Sequence, residues 1–283
     1  MNLSLVDRAI ALLNVRVAPV TGRPRGASAS REEVLARYEM DPSSLAARDL
    51  SGVDLSNADL RHADLSSTTL RGTNLQNANL SGANLTEAAL NGCDLSGADL
   101  TGAILRDANW IRFAGDGRQV NLRGAMLNRA DLVGCNLQQG DLTGADLRDA
   151  DLREANLRGA NLSMACMERA DLTGANLRRA RLDQANLDHA RMLTADLTKA
   201  RCAEATFSNA SLRRATLRGA DLSGSDFTGA DLDESILSGA DLRGSRFAGA
   251  RLIDADLDGV NGTGDEFIGA DLSSSHNLPP HLR

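Results

Sequence analysis

The chain has 283 residues, 42% of them hydrophobic but only 2% aromatic, so no conventional core of Phe, Tyr and Trp exists and the apolar content is mainly Leu and Ala. The formal charge of -7 at pH 7 excludes a generally basic nucleic-acid binder and permits a basic partner. Cys93, Cys135, Cys166 and Cys202 form no C-x-x-C pair and suggest no zinc site, which leaves them as small buried hydrophobes or surface thiols in a reducing compartment.

In residues 1–29, Leu3, Val6, Ile10 and Leu13 are spaced like one face of a short helix. Asp7 and Arg8 interrupt that apolar stretch and spoil a secretory signal. A linker-like run rich in Pro, Gly, Ser and Ala follows to Ser30. This segment reads either as flexible chain or as an export signal for a bacterial secretion machine. Residues 30–48 read as a helical cap. Ser30-Arg31-Glu32-Glu33 has the form of a capping box, and the helix should run from Arg31 to Met40, with Val34, Leu35 and Tyr38 on its apolar side. Asp41-Pro42 ends it, because a residue before proline avoids helical geometry.

From Asp49 to Leu272 the chain repeats a five-residue unit: a small residue, Asp or Asn, Leu, then two mostly polar residues. Asn57-Ala58-Asp59-Leu60-Arg61-His62-Ala63-Asp64-Leu65 shows it. A period of five fits neither helix nor strand. The Leu slot, here called the centre, and the small residue two before it must leave water together. A chain that turns a corner at every unit achieves this, and four units close a coil of about twenty residues. Coils stacked by β-type hydrogen bonds at about 4.8 Å make about eleven layers, a rod of roughly 50 Å. Phe207, Phe227, Phe247 and Phe267 all occupy centres at twenty-residue spacing, so a square coil stacks them ring on ring. Asp and Asn before the centre suit turn backbone. A column such as Asp131, Asp151 and Asp171 also raises calcium binding, but the nonapeptide of calcium-binding β-rolls is missing.

This pattern resembles the pentapeptide-repeat family over about four-fifths of the chain. The resemblance implies an all-β, right-handed quadrilateral β-helix, here with a short N-terminal α-helical cap. Most members of that family have no known activity. Some relatives are DNA mimics that bind a type II topoisomerase, which implies gyrase as an alternative partner. Those relatives usually dimerise through a C-terminal helical element, for which the sequence here has no counterpart.

The rhythm fails between Trp110 and Leu122, where two or seven residues are extra, and a surface loop over 111–121 is expected. Trp110, Arg112, Phe113 and Arg118 form either a partner-binding hot spot or an inward seal of the defect. The twenty-residue period also gathers Arg158, Arg178, Arg179, Lys199 and Arg218 into a basic ridge; Lys199 is the only lysine. Asp221 and Asp241 share another side. Gly262 occupies a centre within Val260–Gly264, so that coil should bulge or loosen. In the tail, residues 273–283, Leu278-Pro279-Pro280 should stop the ladder. The tail either folds over the last coil or leaves two rods to meet end to end as a homodimer.

No phosphate loop, zinc helix motif or nucleophile elbow is present, and His62, His189, His276 and His281 fall at surface or tail positions. No cofactor and no metal ligand set is expected, and no apolar run approaches the ~18 residues of a membrane span. The leading expectation is a non-enzymatic, cytoplasmic scaffold that presents flat faces and one loop to a protein partner. The alternatives are the gyrase-binding mimic and an exported bacterial effector.

Overall fold

The computed structural model describes residues 29–106, 108 and 121–280. One bridge recurs along the chain: each residue before a centre pairs in parallel with the residue twenty positions on, as in Asp49 with Thr69, Asp54 with Asn74, Asp59 with Asn79 and Asp64 with Asn84. These four columns, five residues apart, close one coil, so the chain is a β-helix solenoid with four sides. We letter the sides A to D after Asp49, Asp54, Asp59 and Asp64.

Side-chain chemistry sets the path of each unit. Centres such as Leu55, Leu60 and Leu65 are fully buried, and so are the small residues Ala63, Ala78 and Ala83. Corners are four-residue turns, in which the Val53 N–H donates to the Leu50 carbonyl at 3.2 Å. The third residue of each turn has positive φ, as Gly52 at 70° and Asn57 at 57° do, which is the type II requirement. The Asp or Asn before each centre acts as expected for turn backbone. Its Oδ1 accepts the N–H two residues on, at 3.0 Å for Ser51 on Asp49 and 3.1 Å for Thr143 on Asp141.

Hydrogen bonds between coils have a direction. A centre N–H donates forward to the next coil, as Leu55 to Asn74 O at 2.7 Å, and so does the left-handed corner residue, as Asn57 to Gln76 O at 2.8 Å. A single N–H per unit donates backward, as Asn74 to Val53 O at 3.1 Å. The N-terminal end of the rod is therefore rich in open carbonyls and the C-terminal end rich in open N–H groups. Helix α1, Arg31–Met40, covers the carbonyl-rich end. The Arg31 guanidinium donates to Asp54 O at 2.9 Å and the Tyr38 hydroxyl to Arg61 O at 2.7 Å. Both carbonyls would otherwise lack the partner that a preceding coil supplies.

The helix has the bounds its sequence suggests. Ser30 Oγ accepts the Glu33 N–H at 3.2 Å, while the Glu33 carboxylate meets Arg37 at 3.4 Å. Val34 is buried, and Leu35 and Tyr38 pack against the core. A 3-10 turn, Pro42–Leu45, then leads into the first coil.

Across the interruption, Asp94 bridges Asn121, Asp99 bridges Met126 and Ile104 bridges Asp131, each 27 positions apart. Seven residues beyond one coil are therefore present, the larger of the two counts expected. The loop 111–121 lies outside the described residues except for Asn121, and residues 1–28 of the N-terminal segment lie outside them altogether.

Phe207, Phe227, Phe247 and Phe267 form the expected column in the bore of side C, with successive centroids 4.6, 4.8 and 5.2 Å apart. The last ring is tilted by 27°, where Gly262 leaves its centre unfilled and a 3-10 turn, Asp265–Phe267, replaces the regular corner. The Glu266 carboxylate folds into that gap and accepts N–H groups from Gly244 at 3.2 Å, Thr263 at 2.9 Å and Gly264 at 2.9 Å. It supplies the acceptor that a regular coil would offer Gly244. Pairing continues past Leu272, the expected last unit, because His276 bridges Asp256. Leu278 then packs on the core, so this part of the tail folds over the last coil.

Candidate functional site

The corner from side A to side B carries the basic ridge. Asn156, Asn176, Asp196 and Thr216 stack by successive bridges, and this brings Arg158, Arg178 and Arg218 into one column and Arg179 and Lys199 into the column beside it. All five are exposed. At about 4.8 Å per coil the ridge extends about 14 Å along the rod. Arg178 pairs with Asp196 at 3.0 Å. Within the described residues, Arg158, Arg179, Lys199 and Arg218 have no ion pair. Arg179 and Lys199 occupy left-handed corner positions, each with φ of 58°. The stem of Lys199 lies over the next coil: its Cγ is 3.7 Å from where a Cβ on Gly219 would sit.

Two further arginines belong to this surface. Arg181 and Arg201 stack by a bridge on side B, two residues after Arg179 and Lys199. Both lean on Asp183, at 3.7 and 3.6 Å, so one carboxylate faces two guanidinium groups. The twenty-residue period also carries the signal for them, in the column next to the ridge.

Elsewhere most described arginines have a carboxylate partner, although Arg129 and Arg246 do not. Asp131, Asp151 and Asp171 form the expected column on side D, and Arg106, Arg153 and Arg191 meet them at 2.7, 2.6 and 3.6 Å. Arg148 grips Asp146 through two contacts of 2.8 and 2.6 Å, and Arg243 holds Asp241 at 2.6 Å. The hydrogen bonds from Arg148 and Arg153 hold the carboxyls of Asp146 and Asp151 below the usual range, against the opposing effect of burial. Asp221 and Asp241 stack on side B as expected. Among the described residues, no group of His, Cys, Asp and Glu is arranged to hold a metal ion. An open depression of about 430 Å³ is lined by Arg106, Val133, Arg153, Glu154 and Thr173, a surface hollow rather than an enclosed pocket.

Trp110, Arg112, Phe113 and Arg118 lie outside the described residues, so the loop hot spot has no geometry here. Cys93, Cys135 and Cys202 are buried and Cys166 is half-buried, all as free thiols. Burial pushes the Cys93 thiol up to about 12 and raises Cys202 as well.

A family model described as pentapeptide repeats matches the chain in eight copies between residues 49 and 276. None of the curated protein sequences compared with the chain matches it. Among solved structures, the chain is similar to HetL, a pentapeptide repeat protein involved in heterocyst differentiation regulation from the cyanobacterium Nostoc sp. strain PCC 7120. The identity is 34%, over 77% of this chain and 97% of HetL, with a TM-score of 0.48. It is also similar to QnrB1, a plasmid-mediated fluoroquinolone resistance protein, at 20% identity over 76% of this chain and 89% of that one, with a TM-score of 0.38. A pentapeptide repeat protein from the Arabidopsis thaliana thylakoid lumen is 26% identical over 51% of this chain and 71% of its own, with a TM-score of 0.20.

Proposed function

This chain belongs to the pentapeptide-repeat family, and from that premise we propose that it is a non-enzymatic scaffold that presents its flat sides to a protein partner in the cytoplasm. The observation that carries this reading is the contrast between columns. Asp131, Asp151 and Asp171 on side D are met by neighbouring arginines, whereas most cations of the corner between sides A and B lack such partners. A closed bore filled by Leu and Ala leaves the outside as the working surface, and the ladder fixes the spacing of every group on it. Four free thiols suit a reducing compartment.

Mimicry of DNA toward gyrase calls for one continuous acidic face. The mixed columns favour the scaffold instead, and gyrase supercoiling is expected to proceed unchanged in its presence. A homodimer joined through two C-terminal ends would set N–H donors against N–H donors. Any such contact must use side chains rather than a shared ladder.

The test is affinity capture from the native host with three baits: the intact protein, a variant with both Arg179→Glu and Arg218→Glu, and one lacking residues 112–119. A partner retained by the intact bait and lost with one altered surface supports the scaffold. Retention of no protein above an unrelated β-helix control removes it.

A further inference from the structure

We propose that the corner between sides A and B is a docking track for an extended acidic peptide of the partner protein, with Arg158, Arg179, Lys199 and Arg218 as its primary contacts. This rests on the scaffold reading and names the chemistry of the partner. Like charges stacked about one coil apart repel, by roughly 1 kcal/mol per close pair even in water. Arg179 and Lys199 stack in this way, and they, Arg158 and Arg218 make no ion pair within the described residues, although the fold pairs most other arginines. Arg181 and Arg201 extend the positive surface to side B, where they share Asp183 and where Asp221 on the next coil bounds it.

The dimensions fit an extended chain. Same-side residues of a strand lie about 6.6–6.8 Å apart, so a ridge of about 14 Å accepts two or three carboxylates along its length. The track runs along the rod axis, across the coils, whose backbone groups are already used in their own ladders. Recognition there is by side chains alone, and charge supplies most of it.

Nucleic acid offers the other common polyanion, but single strands are held by rings that stack on bases as well as by charge. Among the described residues no ring stands at the ridge. The four column phenylalanines fill the bore, and Tyr38 holds the N-terminal cap.

The probe is a fluorescein-labelled peptide of alternating Glu and Ser, with a Lys and Ser counterpart and an oligothymidylate of matching charge as controls. Fluorescence anisotropy should show the Glu peptide binding the full-length protein at low salt and weakening as salt rises. The Arg179→Glu and Arg218→Glu double variant, with its circular dichroism unchanged, should bind about tenfold or more weakly, a loss of about 1.4 kcal/mol or more. Because Lys199 is the only lysine, its acetylation by an amine reagent is an independent footprint, and the Glu peptide should slow it. Equal binding by the double variant, unchanged Lys199 acetylation at saturation, or tighter binding of the oligothymidylate overturns the proposal. A native partner kept by both the intact and the double-variant bait removes the track and leaves the scaffold standing.

Discussion

Phe207 and Phe227 are twenty residues apart in the chain and face to face in the bore, their ring centroids 4.6 Å apart and their planes within 2°. That stack follows from the coil length, because a centre can meet the centre one coil ahead only if four five-residue sides close the turn. Phe227, held between Phe207 and Phe247, should be the most costly ring to remove. Phe227→Ala is expected to destabilise by about 3–5 kcal/mol, while Phe227→Leu, which restores the common centre, should cost much less. Chemical denaturation followed by circular dichroism measures both.

Thr194 holds φ at 56°, a conformation that a β-branched side chain tolerates poorly. Replacing it with Asn, which visits the left-handed region more readily, should raise the melting temperature. The converse is testable at Gly102, where φ is 64° and an added Cβ would meet nothing within 4 Å. Gly102→Val should lower stability by about 1–2 kcal/mol through backbone strain alone.

The thiols should divide by burial. Cys93, Cys135 and Cys202 are enclosed, and Cys93 is pushed up to about 12 by burial, so none of them should react with a thiol reagent near pH 8 in the folded protein. Cys166, in a half-exposed slot before a centre, should react first. Mass spectrometry of native and denatured samples counts the modified thiols.

Glu266 links the irregular coil to pH. Burial raises its pKa, but the N–H groups of Thr263 and Gly244 bring the net shift below the ordinary glutamate value. A carboxyl with a lowered folded pKa stabilises fully above its unfolded pKa of about 4.3, and that contribution fades as pH falls through the folded value. Thermal unfolding of the intact protein should therefore lose stability below about pH 4. Glu266→Gln should be less stable at neutral pH and show a shallower acid limb.

The five-residue period made the inside of this protein legible. Leu and Ala must share the bore, the phenylalanine spacing fixed four sides, and Ser30 and Pro42 marked the bounds of α1. The register across the interruption was not legible, because two and seven extra residues both restore a five-residue rhythm and only the bridge from Asp94 to Asn121 separates them. The role of Glu266 is not legible, because a centre Gly signals a hole without saying what fills it. Arg181 and Arg201 needed the lateral adjacency of columns, which a one-dimensional period does not display. Asn and Asp before the centres were easier, since their local turn bonds depend on near neighbours alone.

The stacking of outer residues twenty positions apart underlies both the scaffold and the acidic-peptide track. It is tested most directly by nitroxide labels on Arg158→Cys and Arg178→Cys in a Cys166→Ser background, read by electron paramagnetic resonance. Residues in register on adjacent coils, about 4.8 Å apart at the backbone, should give a strongly broadened spectrum compared with either single label. A doubly labelled spectrum equal to the sum of the two singles would place these residues apart and contradict the four-sided coil.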